Sequence, residues 1–208
     1  TGATAVVHNL LKYGYPGKIY PINPKYHEVM GLQAYPDITR VPETPDCAVI
    51  GVASGQVPEV LQQCAQRGVR ASVVLSSGFA EFRGQAGAAL QQAVGRIARD
   101  SGMRVCGPNC LGVVNVGEKV FASASAGLWV GSVISGRIAL VSQSGALSSA
   151  FIARAQDRGV GFSYIVSCGN EADLEVADFI WYLAHDPFTK VIAAFVEGFK
   201  DGEKIRAA

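Results

Sequence analysis

Asn109 and Cys110 are the first residues to invite a chemical reading. They sit in Cys106-Gly107-Pro108-Asn109-Cys110-Leu111-Gly112, where a Gly-Pro pair followed by Asn marks a turn. Two glycines there permit close backbone approach or a positive φ. The turn either joins a strand to a linker, or presents the Asn109 amide and the Cys110 thiol at the mouth of a ligand crevice. A second cluster, Ser142-Gln143-Ser144-Gly145, lies between an apolar run and a helical pattern. Strand, tight turn, helix is the order that aims unpaired backbone N–H groups at an anion. No Lys follows Gly145, so this is not a Walker loop; it is a phosphate cradle or plain turn chemistry. Glu197 closes the apolar run Val191–Val196. A carboxylate there is costly unless paired or at the surface, and taken alone it reads as an exposed strand end. His8 within a helix, His27 in a polar loop and His185 before Asp186-Pro187 read as surface or capping histidines, not catalysts.

These residues need elements to hold them. Residues 3–13 form a helical pattern with Val6, Val7, Leu10 and Leu11 on one face and Gly14 after its end. Lys18–Ile22 reads as a short strand closed by Asn23-Pro24. Cys47–Val52 is nearly all apolar, as in a parallel strand buried on both faces. A helix from about Pro58 to Arg67 follows, then a strand at Ala71–Leu75, a helix at Gln85–Asp100 and a strand entering Cys106. Residues 113–136 lack a clean period and read as a connection. Beyond it the pattern resumes, with strands at Arg137–Val141, Phe162–Ser167 and Val191–Val196 and helices at Ala146–Asp157 and Leu174–Ala184. Strand–helix alternation with small-residue loops predicts doubly wound parallel sheets. Ligands of such sheets bind beyond the carboxyl ends of the strands. The loops at that edge are Asn23-Pro24-Lys25, Val52-Ala53-Ser54, Ser76-Ser77-Gly78 and Pro108-Asn109-Cys110.

Composition narrows the classes. Eighteen basic and seventeen acidic residues nearly cancel, which argues against a general nucleic-acid binder. No apolar run reaches the roughly 18 residues of a membrane span, and no signal peptide is visible. Five cysteines, odd in number and without a Cys-x-x-Cys pair, argue against a disulfide framework or a zinc site. Free thiols fit a reducing cytoplasm.

Six motifs in order carry a resemblance over essentially the whole chain: GKIYPINPK ending at Lys25, LSSGF at 75–79, GPNCLG at 107–112, LVSQSGAL at 140–147, GNEAD at 169–173 and VEGFKDG at 196–202. The chain resembles the NDP-forming (ADP-forming) acyl-CoA synthetases, relatives of the succinyl-CoA synthetase alpha subunit. The resemblance implies an α/β architecture in two parts. A Rossmann-like CoA-binding domain would occupy residues 1–126. A flavodoxin-like ligase domain would occupy 127–208, with an ATP-grasp module in the same chain or a partner subunit. It implies an acid–CoA ligase that makes acyl-CoA from a carboxylic acid, CoA and ATP, through an acyl phosphate and a phosphohistidine, releasing ADP and phosphate. ATP/ADP and Mg2+ would be held by the ATP-grasp module, and the protein would be an oligomer. Carried over by position, Thr1 and Gly2 would close a glycine loop. Asn23, Pro24 and Lys25 would lie near the adenosine end of CoA, with Lys25 available to a phosphate. Val52, Ala53, Ser76, Ser77 and Gly78 would line the groove, and Asn109 and Cys110 would approach the thiol end. Ser144 and Gly145 would hold phosphate, and Glu197 would orient and charge the catalytic histidine.

The family's Ser-His-Thr-Gly-like motif does not occur in these 208 residues, and the expected first strand and its glycine loop do not precede the opening helix. Both domains are therefore expected to be incomplete in this fragment, which alone should not complete a catalytic cycle. Two other readings compete. One is a ligase-like CoA or acyl-CoA sensing module of a protein acetyltransferase. The other is a nicotinamide-dependent dehydrogenase, which the lack of Gly-x-Gly-x-x-Gly and of an acidic residue after the second strand disfavours.

Overall fold

A computed structural model describes residues 2–82, 84–129 and 132–208. Helix α1 (Gly2–Lys12) opens the described chain and buries Val6, Asn9 and Leu10. That stripe follows the i, i+3, i+4 spacing of one helix face, while Leu11, expected on the same face, is exposed.

The stretch Lys18–Ile22 is not a strand. Its one ladder contact is an isolated bridge between Ile22 and Tyr35, where Tyr35 N donates to Pro21 O at 2.9 Å and Asn23 N to Tyr35 O at 2.8 Å. Pro21 has no N–H to extend the pairing. A two-residue hairpin, β1 (Glu28–Val29) and β2 (Leu32–Gln33), follows.

The first parallel sheet has the order β3 (Cys47–Ile50), β4 (Ala71–Val74), β5 (Arg104–Cys106). Helix α2 (Val57–Gln66) starts with a proline in its first turn, where the missing N–H costs no hydrogen bond. Helix α3 (Gln85–Ser101) ends on Gly102 in the left-handed conformation. Val57, Leu61, Val94 and Ala98 of these helices pack with Ile50, Val74, Phe79 and Val105 in one core.

The segment 113–136, expected to be an irregular connection, contains a hairpin instead: β6 (Gly112–Asn115) and β7 (Val120–Ser123). It joins the second sheet, which also holds β8 (Ser135–Ser142), β9 (Phe162–Ser167) and β10 (Val191–Phe195) in the order β10-β8-β9-β6-β7. The three expected strands are parallel, and the hairpin extends them with antiparallel pairing to β9. In Val113-Val114-Asn115-Val116 and Val120-Phe121-Ala122-Ser123 burial alternates, but Gly, Glu and Lys at the turn break the run too soon for the period to stand out. Two strands of the second sheet thus come from residues before position 126. Helices α4 (Gly145–Gln156), α5 (Val176–Ala184) and α6 (Gly202–Ala207) complete this half.

The two halves are joined. Helix α1 lies on β7: the Tyr13 ring stacks on Phe121 with centroids 3.8 Å apart. The fully buried Asn9 donates to Ser123 O at 2.8 Å, so its amide is satisfied where it would otherwise be costly. At the other seam, residues 170–174 run along β5. Asn170 N donates to Pro108 O, Ala172 N to Gly107 O and Leu174 N to Val105 O, each within 3.0 Å. This covers an edge that would otherwise expose unpaired backbone. Asp173 adds a bond from Val105 N at 2.8 Å and an ion pair with Arg104 at 3.3 Å.

Candidate functional site

The seam brings the carboxyl ends of both sheets together. The loop after β4 carries Ser76, Ser77 and Gly78. Ser76 Oγ donates to Val52 O at 2.5 Å, tying it to the loop after β3. Ser76 O accepts from Asn109 N at 2.8 Å, tying it to the loop after β5. Gly2 abuts Leu75, and Ala3 abuts Gly51, so the N-terminus of α1 stands over the ends of β3 and β4. Val52, Ala53, Ser76, Ser77, Gly78, Asn109 and Gly2 are thus grouped at one edge. Thr1 lies outside the described residues.

Two expected members sit differently. Asn23, Pro24 and Lys25 form a turn in which Asn23 Oδ1 accepts from Lys25 N at 2.9 Å, and its backbone partner is Tyr35. Pro24 and Lys25 are exposed. The Cys110 thiol does not reach a crevice mouth. It is buried in the core and donates to Val74 O at 3.3 Å. What Cys110 offers a ligand is backbone. Burial and turn position conflict at this residue, and a small apolar thiol next to β4 and β5 is drawn inward.

Asn170 is the centre of this edge, and residue-by-residue reading missed it. Its Nδ2 donates to Glu81 Oε2 at 2.5 Å and to Gln91 Oε1 at 3.0 Å. Its Oδ1 accepts from Asn109 Nδ2 at 3.2 Å, and its carbonyl accepts from Lys200 Nζ at 2.8 Å. Glu81 in turn accepts from Gly78 N at 2.6 Å and Phe79 N at 3.1 Å, which holds the 76–79 loop in shape. Burial alone would raise the Glu81 carboxyl, but the bonds from Gly78 N, Asn170 and Phe79 N outweigh it and keep it below the usual range. Gly169 lets this knot close. Its φ is +61°, and a Cβ there would overlap Pro108 O and lie 2.6 Å from Asn109 O. The signal for Asn170 was the GNEAD motif; for Glu81 it was position two after LSSGF; for Gln91, on a helix surface, there was none.

The second sheet supplies the Ser142–Gly145 turn, the expected phosphate cradle. Ser144 caps α4, its hydroxyl accepting from Leu147 N at 3.4 Å. The N–H groups of Gly145 and Ala146 belong to the first turn, which has no intrahelical acceptors, so they can meet an anion. The β8–β10 register aligns Ser142 with Phe195, and Glu197 follows two residues beyond the end of that ladder. Gln143 fixes that placement, its Oε1 accepting from Glu197 N at 2.6 Å. The Glu197 side chain is exposed. Glu171, buried in the GNEAD loop, accepts from Val176 N at 2.8 Å. Burial pushes its carboxyl up, and the bonds from Gln143 and Val176 N with the charge of Lys200 offset only part of that. Lys200 also donates to Glu171 O. Among the described residues no cluster of three or more His, Cys, Asp and Glu is disposed to hold a metal ion. His8 and His27 are exposed, and His185 ends α5 with Nδ1 2.7 Å from Trp181 O.

Parallel sheets whose strand-end loops meet at a seam, beside a helix start capped by Ser144, define an α/β protein with its polar loops gathered at one edge. Residues 2–116 match the CoA binding domain family and residues 135–208 the succinyl-CoA ligase like flavodoxin domain. The first match spans more than half of the chain, which belongs to the CoA binding domain family. The order of the two domains agrees with the resemblance to ADP-forming acyl-CoA synthetases read from the motifs. Among curated relatives, an acetate–CoA ligase (ADP-forming) I of Archaeoglobus fulgidus is 40% identical over 96% of this chain, covering 28% of that protein. The acetate–CoA ligase (ADP-forming) I subunit alpha of Pyrococcus furiosus is 39% identical over 96% of this chain, covering 43% of that protein. A solved structure of the dinucleotide forming acetyl-coenzyme A synthetase 1 of Ca. Korarchaeum cryptofilum, in its apo form, superposes with a TM-score of 0.89 at 40% identity. It covers 96% of this chain and 42% of that one. This chain therefore spans less than half the length of these relatives.

Proposed function

We propose that this chain is the CoA-binding and phosphate-handling part of an ADP-forming acid–CoA ligase. The observation that carries the reading is the single knot at Asn170, which joins the candidate CoA loops (76–79 and 107–110) to the loop bearing Glu197 and Lys200. In the reaction, the thiol of CoA attacks the carbonyl carbon of an acyl phosphate. The C–O bond to phosphate breaks, and acyl-CoA and inorganic phosphate leave. Ser76, Ser77, Gly78, Val52 and Ala53 line the CoA groove, with Gly2 at the helix that closes it. Asn109 presents its backbone and amide near the thiol end, and Cys110 contributes main chain. Asn23, Pro24 and Lys25 take the adenosine end, with Lys25 on a phosphate. Gly145 and Ala146 N–H, under the Ser144 cap, stabilise the transferred phosphoryl group, a helix-field effect of roughly 0.3–1 kcal/mol at the surface. Glu197 accepts the N–H of one ring nitrogen of a histidine from elsewhere in the protein, which leaves the other nitrogen unprotonated to take the phosphoryl group and stabilises the positive charge the ring then gains.

ATP and Mg2+ belong, on this reading, to an ATP-grasp domain or subunit, the protein is an oligomer, and it works in the cytoplasm. All five cysteines are unpaired, and no described helix is long and apolar enough to cross a membrane. The relatives named ADP-forming ligases support the enzyme over an acetyltransferase-linked sensor. The test is thermal unfolding of the full protein with CoA, dephospho-CoA or NAD. Ligand at a hundredfold excess over its Kd adds about 2.7 kcal/mol. CoA is expected to raise Tm most and dephospho-CoA less. A response to NAD with none to CoA would overturn the reading.

A further inference from the structure

Gln143 is the residue whose side chain the proposed roles leave unused, and its amide makes three hydrogen bonds. Oε1 accepts from Glu197 N at 2.6 Å and from Gly198 N at 3.1 Å. Nε2 donates to Gly198 O at 2.8 Å. An amide has two acceptor lone pairs and two N–H donors, and here both acceptor positions and one donor are used. A flipped amide would point N–H at N–H twice, so the orientation is determined by its partners.

The bracket begins where the ladder ends. Gln143 N donates to Phe195 O at 3.1 Å, the last main-chain bond between the two strands. Beyond it the 197–198 peptide has left the sheet, and the Gln143 side chain supplies the continuation. The same residue's main chain leads directly into Ser144 and Gly145 of the helix start. One residue thus sets the position of the Glu197 backbone relative to the N–H groups proposed to hold phosphate.

We infer that Gln143 is a positioning residue for phosphoryl transfer, fixing Glu197 against the N-terminus of α4. The inference rests on the reading of Glu197 as the carboxylate that orients the phosphorylated histidine. Gln143 acts through that residue and touches no reacting atom.

The test is a double-mutant cycle in the full-length ligase with its ATP-binding part present. Wild type, Gln143→Leu, Glu197→Gln and the double variant are compared for the rate of histidine phosphorylation from ATP and for KM of CoA. Leu is of similar size and removes all three bonds. Losing an outer partner that orients a metal-ligating side chain typically costs about 10–100-fold, and by analogy a loss in that range is expected for Gln143→Leu. KM for CoA should stay within about twofold, a split that general destabilisation would not produce. In the Glu197→Gln background, adding Gln143→Leu should change the rate less than about twofold, because residues that act as a unit are not additive. A slow Glu197→Gln enzyme beside a Gln143→Leu enzyme of wild-type rate refutes the positioning role alone. So do two losses that simply multiply. An unaffected Glu197→Gln enzyme refutes the Glu197 reading itself and this inference with it. If Gln143→Leu does not fold, Gln143→Met, more flexible and equally without donors, enters the same cycle.

Discussion

Asn170→Asp is an isosteric change that strikes the seam at one atom. In the wild-type chain Asn170 Nδ2 donates to the Glu81 carboxylate at 2.5 Å. Hydrogen bonds to charged groups contribute about 1.5–3 kcal/mol. The substitution removes that donor and sets a second carboxylate against the first. Two unit charges about 4 Å apart at an effective dielectric of 20 repel by about 4 kcal/mol. Glu81 is exposed on its far side, so it can swing away, and solvent screening reduces the repulsion to a fraction of that. The expected net loss is about 2–3 kcal/mol at pH 7 by urea unfolding, with the midpoint falling and the slope unchanged. The pH dependence is the sharper readout. As pH falls toward about 4.5, one of the two close carboxyls takes up a proton, an O–H donor returns, and the variant regains stability. In the wild type the Glu81 carboxyl lies below its usual range, so its contribution is present above the unfolded value of about 4.3 and disappears only as pH drops through the lower folded value. The two proteins should converge from opposite directions. A variant as stable as wild type at pH 7, or one whose deficit is the same at pH 7 and 4.5, would show that Glu81 does not grip Asn170.

Two further outcomes follow from the same seam. Gly169→Ala requires a left-handed φ and an overlap with main-chain oxygen, and is expected to lower stability by about 2–4 kcal/mol; a loss below about 0.5 kcal/mol in urea unfolding would mean that the loops are not held this closely. Glu171 has a carboxyl raised by burial, so its favourable contribution is full below the unfolded value of about 4.3 and lost as pH rises through the higher folded value. Glu171→Gln should therefore flatten the decline of stability with rising pH across that interval, and parallel pH–stability curves for variant and wild type would contradict it.

Much of the architecture was legible in the sequence because it is encoded locally. Apolar runs such as Cys47–Ile50 and Val191–Phe195 and the helical patterns at Gln85–Asp100 and Ala146–Asp157 involve neighbours within a few positions, and each corresponds to an element of the fold. The ordered motifs likewise marked the loops that converge. The hairpin at Gly112–Ser123 and the irregular Lys18–Ile22 stretch were not legible. One strand pair is stabilised by pairing to β9 some 50 positions away, and the other segment has no partner to make it a strand. The same distinction divides the site. Turn and strand-end chemistry left Ser144, Gly145 and Glu197 open, and the resemblance of the ordered motifs singled them out. That Cys110 turns inward, that Asn170 meets Glu81 across 89 positions, and that Gln143 brackets Glu197 across 54 are decided only when the chain is folded. A hydrogen bond depends on distance and direction in space, and no local propensity encodes either between residues so far apart in the chain.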